Sequence, residues 1–307
     1  MELTVTKMRL FLKTLSVVMF IIVIAPSYAH ARLQVVATLP ALGQVAKAVV
    51  GEDGDVRILA RVGEDPHFVP PKPTLARHLA RADLLLTVGL ALEAGWLPSL
   101  IEFSRNPKIR PGQSGLLVGS ENIEVLGAME HADRSMGDVH PEGNPHWWLD
   151  PIRVANLSIA LARRLAAIDP ENGERYLRRA ELFAKQLNDL VKLWIPKFEG
   201  FSPVVTYHDS YRYFVERFGI NVIGYVEPKP GVEPSIRHLD DLVRLIGARG
   251  VKQVWVEPYH HGRVARRVAS LSGAELLAMP DAVTGEGGEG YLAMIMKLLQ
   301  SSLEEAQ

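Results

Sequence analysis

Beyond its first thirty residues the chain alternates short apolar runs with amphipathic stretches. Residues 33–39 (LQVVATL), 55–62 and 83–89 (DLLLTVG) read as strands. The last is almost continuously apolar, as a strand covered on both faces must be. Between and after them, 41–50, 73–82 and 91–104 carry apolar residues at helical spacing. Gly51 stops the first of these helices, and Pro73 stands at the first position of the second. This βαβαβα order predicts a doubly wound parallel sheet.

The pattern breaks over residues 105–145, which are rich in Pro, Gly, Ser, Asn and acidic residues. Two short pieces there, SGLLVGS and IEVLG, read as minor strands, and 130–145 as a surface loop. Asp150-Pro151 then places a cap and a first-turn proline at the start of a helix running to about 168. Asp169-Pro170 opens another, in which Leu177, Ala180, Ala184, Leu187, Val191 and Trp194 recur at three- and four-residue steps. Read as one helix of about 26 residues, it would span roughly 39 Å.

Residues 200–307 repeat the first plan. Strands are expected at 201–207, 220–226, 251–257 and 274–279, and helices at 210–218, 234–248, 262–271 and 291–306. PPKPTLARHL in the first half also resembles GVEPSIRHL in the second. The expected fold is α/β: two doubly wound lobes, 32–168 and 200–307, joined by one long rigid helix over 169–199.

The N-terminus changes the setting. Lys7, Arg9 and Lys13 precede an apolar stretch over 15–25, and Ala29-His30-Ala31 closes it. That is the pattern of a secretory signal peptide over 1–31, too short in its apolar part for a membrane span. Removing Lys7, Arg9, Lys13 and Glu2, a net +2, takes the formal charge from −1 to −3. Nothing in that balance favours nucleic acid. There is no cysteine, so neither a disulfide framework nor a lipid-modified cysteine is available within this sequence. A soluble periplasmic monomer is expected.

Four residues stand out against this frame. His67 (EDPHF) lies in the loop after the second strand. His208 (YHDSY) follows the strand 201–207, and Asp281 (MPD) follows 274–279. Open α/β sheets bind ligands beyond the carboxyl ends of their strands. His146 (NPHWWLD) precedes the helix at 151. Three imidazoles and one carboxylate are a donor set for a four-coordinate divalent metal in the cleft between lobes. Each histidine alone reads as a polar surface residue, and their shared placement at strand ends leaves both readings open.

EDPHF, NPHWWLDP, YHDSYRYF and MPD resemble motifs of the periplasmic solute-binding proteins of zinc and manganese ABC importers. So do ATLPALGQVAKAV, VEPKPGVEPS and the closing GYLAMIMKLL. The resemblance runs in order over essentially the whole mature chain. It implies two α/β lobes on a long helix, with His67, His146, His208 and Asp281 as metal ligands. The partners it implies are a divalent cation, a membrane permease and a periplasmic metallochaperone. Manganese-preferring members resemble a two-His, two-carboxylate pattern, so His208 at the third position favours zinc. Retention of Asp281 and a modest loop keep manganese open.

The chain carries other histidines beside these. His131, Asp133, Asp138 and His140 in the 130–145 loop read either as a weak capture site or as a solvated acidic loop. His78, His238, His260 and His261 read as structural. Glu64 and Asp209 are candidate acceptors for the ligands' outer N–H groups. A metallohydrolase would need a water in place of the fourth ligand and a general base, for which Glu64 or Asp209 could be nominated, but there is no HExxH motif. A siderophore or corrinoid site would need a bulky apolar or cationic lining instead.

Overall fold

The computed structural model describes residues 32–129, 140–229, 231–260, 262–280 and 290–303. Residues 1–31, expected to be a signal peptide, most of the 130–145 loop, His261 and Asp281 lie outside them. Among the described residues no helix is long and apolar enough to cross a membrane.

Among the described residues, eight strands form two four-stranded parallel sheets. The first contains β1 (Leu33–Ala37), β2 (Gly54–Ile58), β3 (Leu84–Thr87) and β4 (Leu116–Val118), in the order β2-β1-β3-β4. The second contains β5 (Val204–Thr206), β6 (Val222–Tyr225), β7 (Gln253–Val256) and β8 (Glu275–Ala278), in the order β6-β5-β7-β8. Counted within each lobe, the two orders are identical. The repeated plan expected from the hydrophobic pattern is therefore repeated topology.

Helices α1 (Pro40–Val50), α2 (Pro73–Leu79) and α3 (Leu97–Ser104) serve the first sheet. Helices α6 (Arg212–Phe218), α7 (Ile236–Arg249), α8 (Arg263–Ser272) and α9 (Tyr291–Leu303) serve the second. Between the sheets run α4 (Pro151–Ile168) and α5 (Gly173–Trp194), packed along one another. Asp150 caps α4, its carboxylate accepting the Ile152 N–H at 3.0 Å. Tyr176, Ala180, Phe183, Leu187, Val191 and Trp194 form the buried stripe of α5.

Three elements differ from expectation. The long helix has 22 residues rather than 26, because Pro170–Asn172 and Ile195–Phe198 tighten into 3-10 turns at its ends. The helix expected over 91–104 begins only at Leu97. Its predicted first turns are irregular, with Leu90 and Ala91 at positive φ (52° and 60°). Buried Glu93 holds that bend, accepting the Val88 and Gly89 N–H groups at 2.7 and 3.1 Å and the Thr38 hydroxyl at 2.7 Å. Finally, IEVLG forms no strand.

One apolar core runs from the first sheet through α4 and α5 to Phe214, Trp255 and Tyr291 of the second lobe. A smaller core, including Val254, Leu242 and Val268, lies between the second sheet and α7 and α8.

Candidate metal centre

His67, His146 and His208 come together. Each offers a ring nitrogen, and the three nitrogens lie within 4.8 Å of one another. Ring centroids are 5.3 Å apart for His67–His146, 5.4 Å for His146–His208 and 6.1 Å for His67–His208. His146 is 1% exposed and His208 8%. The Nε2 of His146 is buried with no hydrogen-bond partner among the described residues. A buried imidazole nitrogen in that state calls for a partner, and it faces two other imidazoles. Asp281, the fourth expected ligand, lies outside the described residues.

Local sequence explains how each ring is held. Asp65, two residues before His67, accepts both the His67 backbone N–H and its Nδ1 at 2.9 Å. This fixes the Nδ1–H tautomer and leaves Nε2 as the lone-pair donor. Burial opposes ionisation of Asp65, but its hydrogen bonds with His67 outweigh that and hold the carboxyl below its usual range. The indole of Trp96 supports the loop by donating to the Pro66 carbonyl at 3.1 Å. His146 packs on Trp148 at 5.0 Å, and its backbone N–H donates to Asn144 Oδ1 at 2.9 Å. Trp147 donates its indole N–H to the Val88 carbonyl at 3.3 Å, tying this segment to β3. Gly119 allows that approach, since a Cβ there would lie 2.4 Å from the Trp147 ring. The Thr206 hydroxyl donates to the His208 carbonyl at 2.8 Å.

The electrostatics favour neutral, metal-ready imidazoles. Burial, followed by the neighbouring histidines His67, His208, His140 and His260, pushes His146 well below the ordinary imidazole value. Burial, with His67 and the other rings, lowers His208 to about 3. A neutral imidazole is the form that coordinates a divalent cation.

The acceptors nominated from sequence are not those the structure uses. Glu64 accepts its own loop's Arg61 N–H at 2.9 Å, and the adjacent Asp65 takes the His67 role. Asp209 is engaged by the Arg212 guanidinium at 2.5 Å and the Tyr225 hydroxyl at 3.0 Å. The sequence signal for Asp65 was present: an aspartate two residues ahead folds back onto its own chain in an Asx turn. Glu227, in the VEP segment after β6, was also missed; its Oε1 lies 3.8 Å from His208 Nδ1. Burial and the Asp65 charge push the Glu227 carboxyl up.

Two further histidines border the cluster. The His140 ring lies 5.3 Å from that of His67. His260, expected to be structural, stacks on Tyr207 at 4.7 Å, and burial lowers its pKa. His238 instead bonds the Tyr225 carbonyl at 2.9 Å, and His78 is exposed. A cavity of about 350 Å³ opens beside the rings, bordered by His140, His208, Arg212, Tyr225 and Glu227.

The profile of the periplasmic zinc-uptake complex component A family matches residues 35–306. The chain belongs to that family. Among its relatives is the zinc-binding lipoprotein AdcA of Streptococcus pneumoniae, 24% identical over 309 residues. That alignment covers 96% of this chain and 60% of AdcA, so the chain spans only part of that relative's length. The manganese-binding lipoprotein MntA of Halalkalibacterium halodurans is 26% identical over 272 residues, covering 86% of this chain and 85% of MntA. A crystal structure of ZnuA superposes with a TM-score of 0.76 at 21% identity, covering 90% of this chain and all of that one. At that identity the likeness establishes the fold alone: two parallel-sheet α/β lobes.

Proposed function

We propose that this chain captures a divalent transition metal, Zn²⁺ in the first instance, in the periplasm and delivers it to the membrane permease of an ABC importer. The supporting observation is the cluster of His67, His146 and His208, with ligand nitrogens mutually within 4.8 Å and the His146 Nε2 buried without a hydrogen-bond partner among the described residues. Asp281, directly after the buried Met279-Pro280, supplies the fourth ligand in this reading. The lobes divide at 32–168 and 200–307, with the linking helix between.

Four protein ligands suit holding a cation rather than activating a water. The carboxylates nominated as general bases point the same way, since Glu64 and Asp209 are held by Arg61, Arg212 and Tyr225. Imidazole-rich donor sets favour zinc over manganese. Manganese is the second reading, favoured by the Glu227 carboxylate beside the His208 ring and by the presence of Asp281 in the sequence.

The test is metal retention. Chelator-stripped protein, dialysed against equimolar Zn²⁺ and Mn²⁺, retains about one zinc per chain by mass spectrometry, and His208→Ala loses it. Preferential manganese retention would replace the metal but keep the class. Retention of neither would overturn the reading.

A further inference from the structure

The segment carrying His146 is fastened to the second lobe along its length. Tyr291 donates its hydroxyl to the Trp148 carbonyl at 2.7 Å. Arg217 of α6 binds Asp150 with two bonds of 2.9 Å. At the near end stands Asn144, and its amide is divided between the two ligand segments. Its Oδ1 accepts the His146 N–H at 2.9 Å, while its Nδ2 donates to the Asp209 carbonyl at 2.7 Å, directly after His208. Only one orientation of the amide satisfies both, because one neighbour is a donor and the other an acceptor.

The Asn144 backbone is fixed as well. Its N–H donates to the Leu126 carbonyl at 2.8 Å. The Tyr213 hydroxyl of α6 donates to the Asn144 carbonyl at 2.7 Å and accepts the Leu126 N–H at 3.0 Å. His67, by contrast, is held by its own loop through Asp65 and by Trp96.

We infer that Asn144 is a positioning residue: its amide sets the spacing of His146 and His208, so that two of the three imidazoles form one preassembled half-site that His67 completes. This rests on the metal-capture reading above. An isosteric aspartate separates the two bonds. Asn144→Asp keeps the acceptor for His146 but loses the donor to Asp209. It also sets a second carboxylate where the amide nitrogen lies 3.4 Å from Asp209 Oδ2. Like charges at such a distance repel, so the two ligand segments move apart.

The experiment measures Zn²⁺ affinity by competition with a chromophoric chelator, together with the visible d–d absorption of the Co²⁺-loaded protein. That absorption weakens when four-coordinate geometry gives way to higher coordination, a change that lost stability alone does not produce. Asn144→Asp lowers Zn²⁺ affinity about 10–100-fold, the range found when groups that orient metal ligands are removed, and weakens the Co²⁺ bands. Asn144→Ala does so to a smaller extent. Should Asn144→Asp fail to fold, Asn144→Ala decides on the same two readouts. Wild-type affinity and spectrum in the folded Asn144 variants, with binding lost in His146→Ala and His208→Ala, would overturn this inference alone. Unimpaired binding in the histidine variants would overturn the metal reading and this inference with it.

Discussion

Lowering the pH should destabilise the metal-free protein through His208. In the folded chain this ring stays neutral down to about pH 3; unfolded, it takes up a proton near its ordinary value of 6.5. Between these values the unfolded state binds more protons, so stability falls as pH falls. Each unit costs at most about 1.4 kcal/mol. Because the unfolded ring is only half protonated at pH 6.5, His208 alone removes about 2 kcal/mol between pH 6.5 and 4.5, on the order of 5–10 °C in Tm for a chain of this size. His146, also pushed well down by burial, acts with the same sign. The assay is urea denaturation of chelator-treated protein at half-unit pH steps, wild type against His208→Gln. The amide does not titrate, so contributions common to both proteins, from Asp65, Glu93 and Glu227, cancel in the comparison. The wild-type curve should fall more steeply, by about 0.7 kcal/mol per unit near pH 6.5 and approaching about 1.4 kcal/mol per unit toward pH 4.5. Parallel curves would refute the argument that His208 is held neutral by burial in the folded state.

The remaining predictions concern the supports of the site. Asp65→Asn leaves a weaker, neutral acceptor for the His67 ring and should lower Zn²⁺ affinity about tenfold, read by chelator competition, with little change in the apo protein's Tm. Asp150→Ala removes the α4 cap and leaves the buried Arg153 guanidinium without its 2.5 Å partner. The expected loss is about 3–5 kcal/mol in urea denaturation, as for other broken buried pairs.

Much of the fold was legible from the chain because local and global signals agree. Pro40, Pro73 and Pro151 sit in first helical turns, and the runs at 84–87 and 253–256 are wholly buried strands. Errors arose where tertiary contacts override propensity. The stretch 90–96 has helical composition but bends around the buried Glu93 carboxylate, an interaction spanning the ends of β1 and β3 that no local pattern reveals. At the site, His67 and His208 were visible because they follow strand ends, and His146 because it stands just ahead of the capped helix at 151. Asp65 was legible in principle as an Asx turn. Glu227 and His260 were not, because what brings them to the rings is the parallel pairing of β6 and β7 with β5. Asn144 carried the least sequence signal, since its role lies in joining two segments 65 residues apart.

The claim at the centre of this account is the ligand set, and X-ray absorption at the zinc edge of the loaded protein reads it most directly. Three imidazole nitrogens at about 2.0–2.1 Å with one carboxylate oxygen at about 2.0–2.2 Å are expected, along with the outer-ring scattering of histidine, reduced by one imidazole in His208→Ala. An all-oxygen shell, or a single imidazole unchanged in that variant, would contradict it.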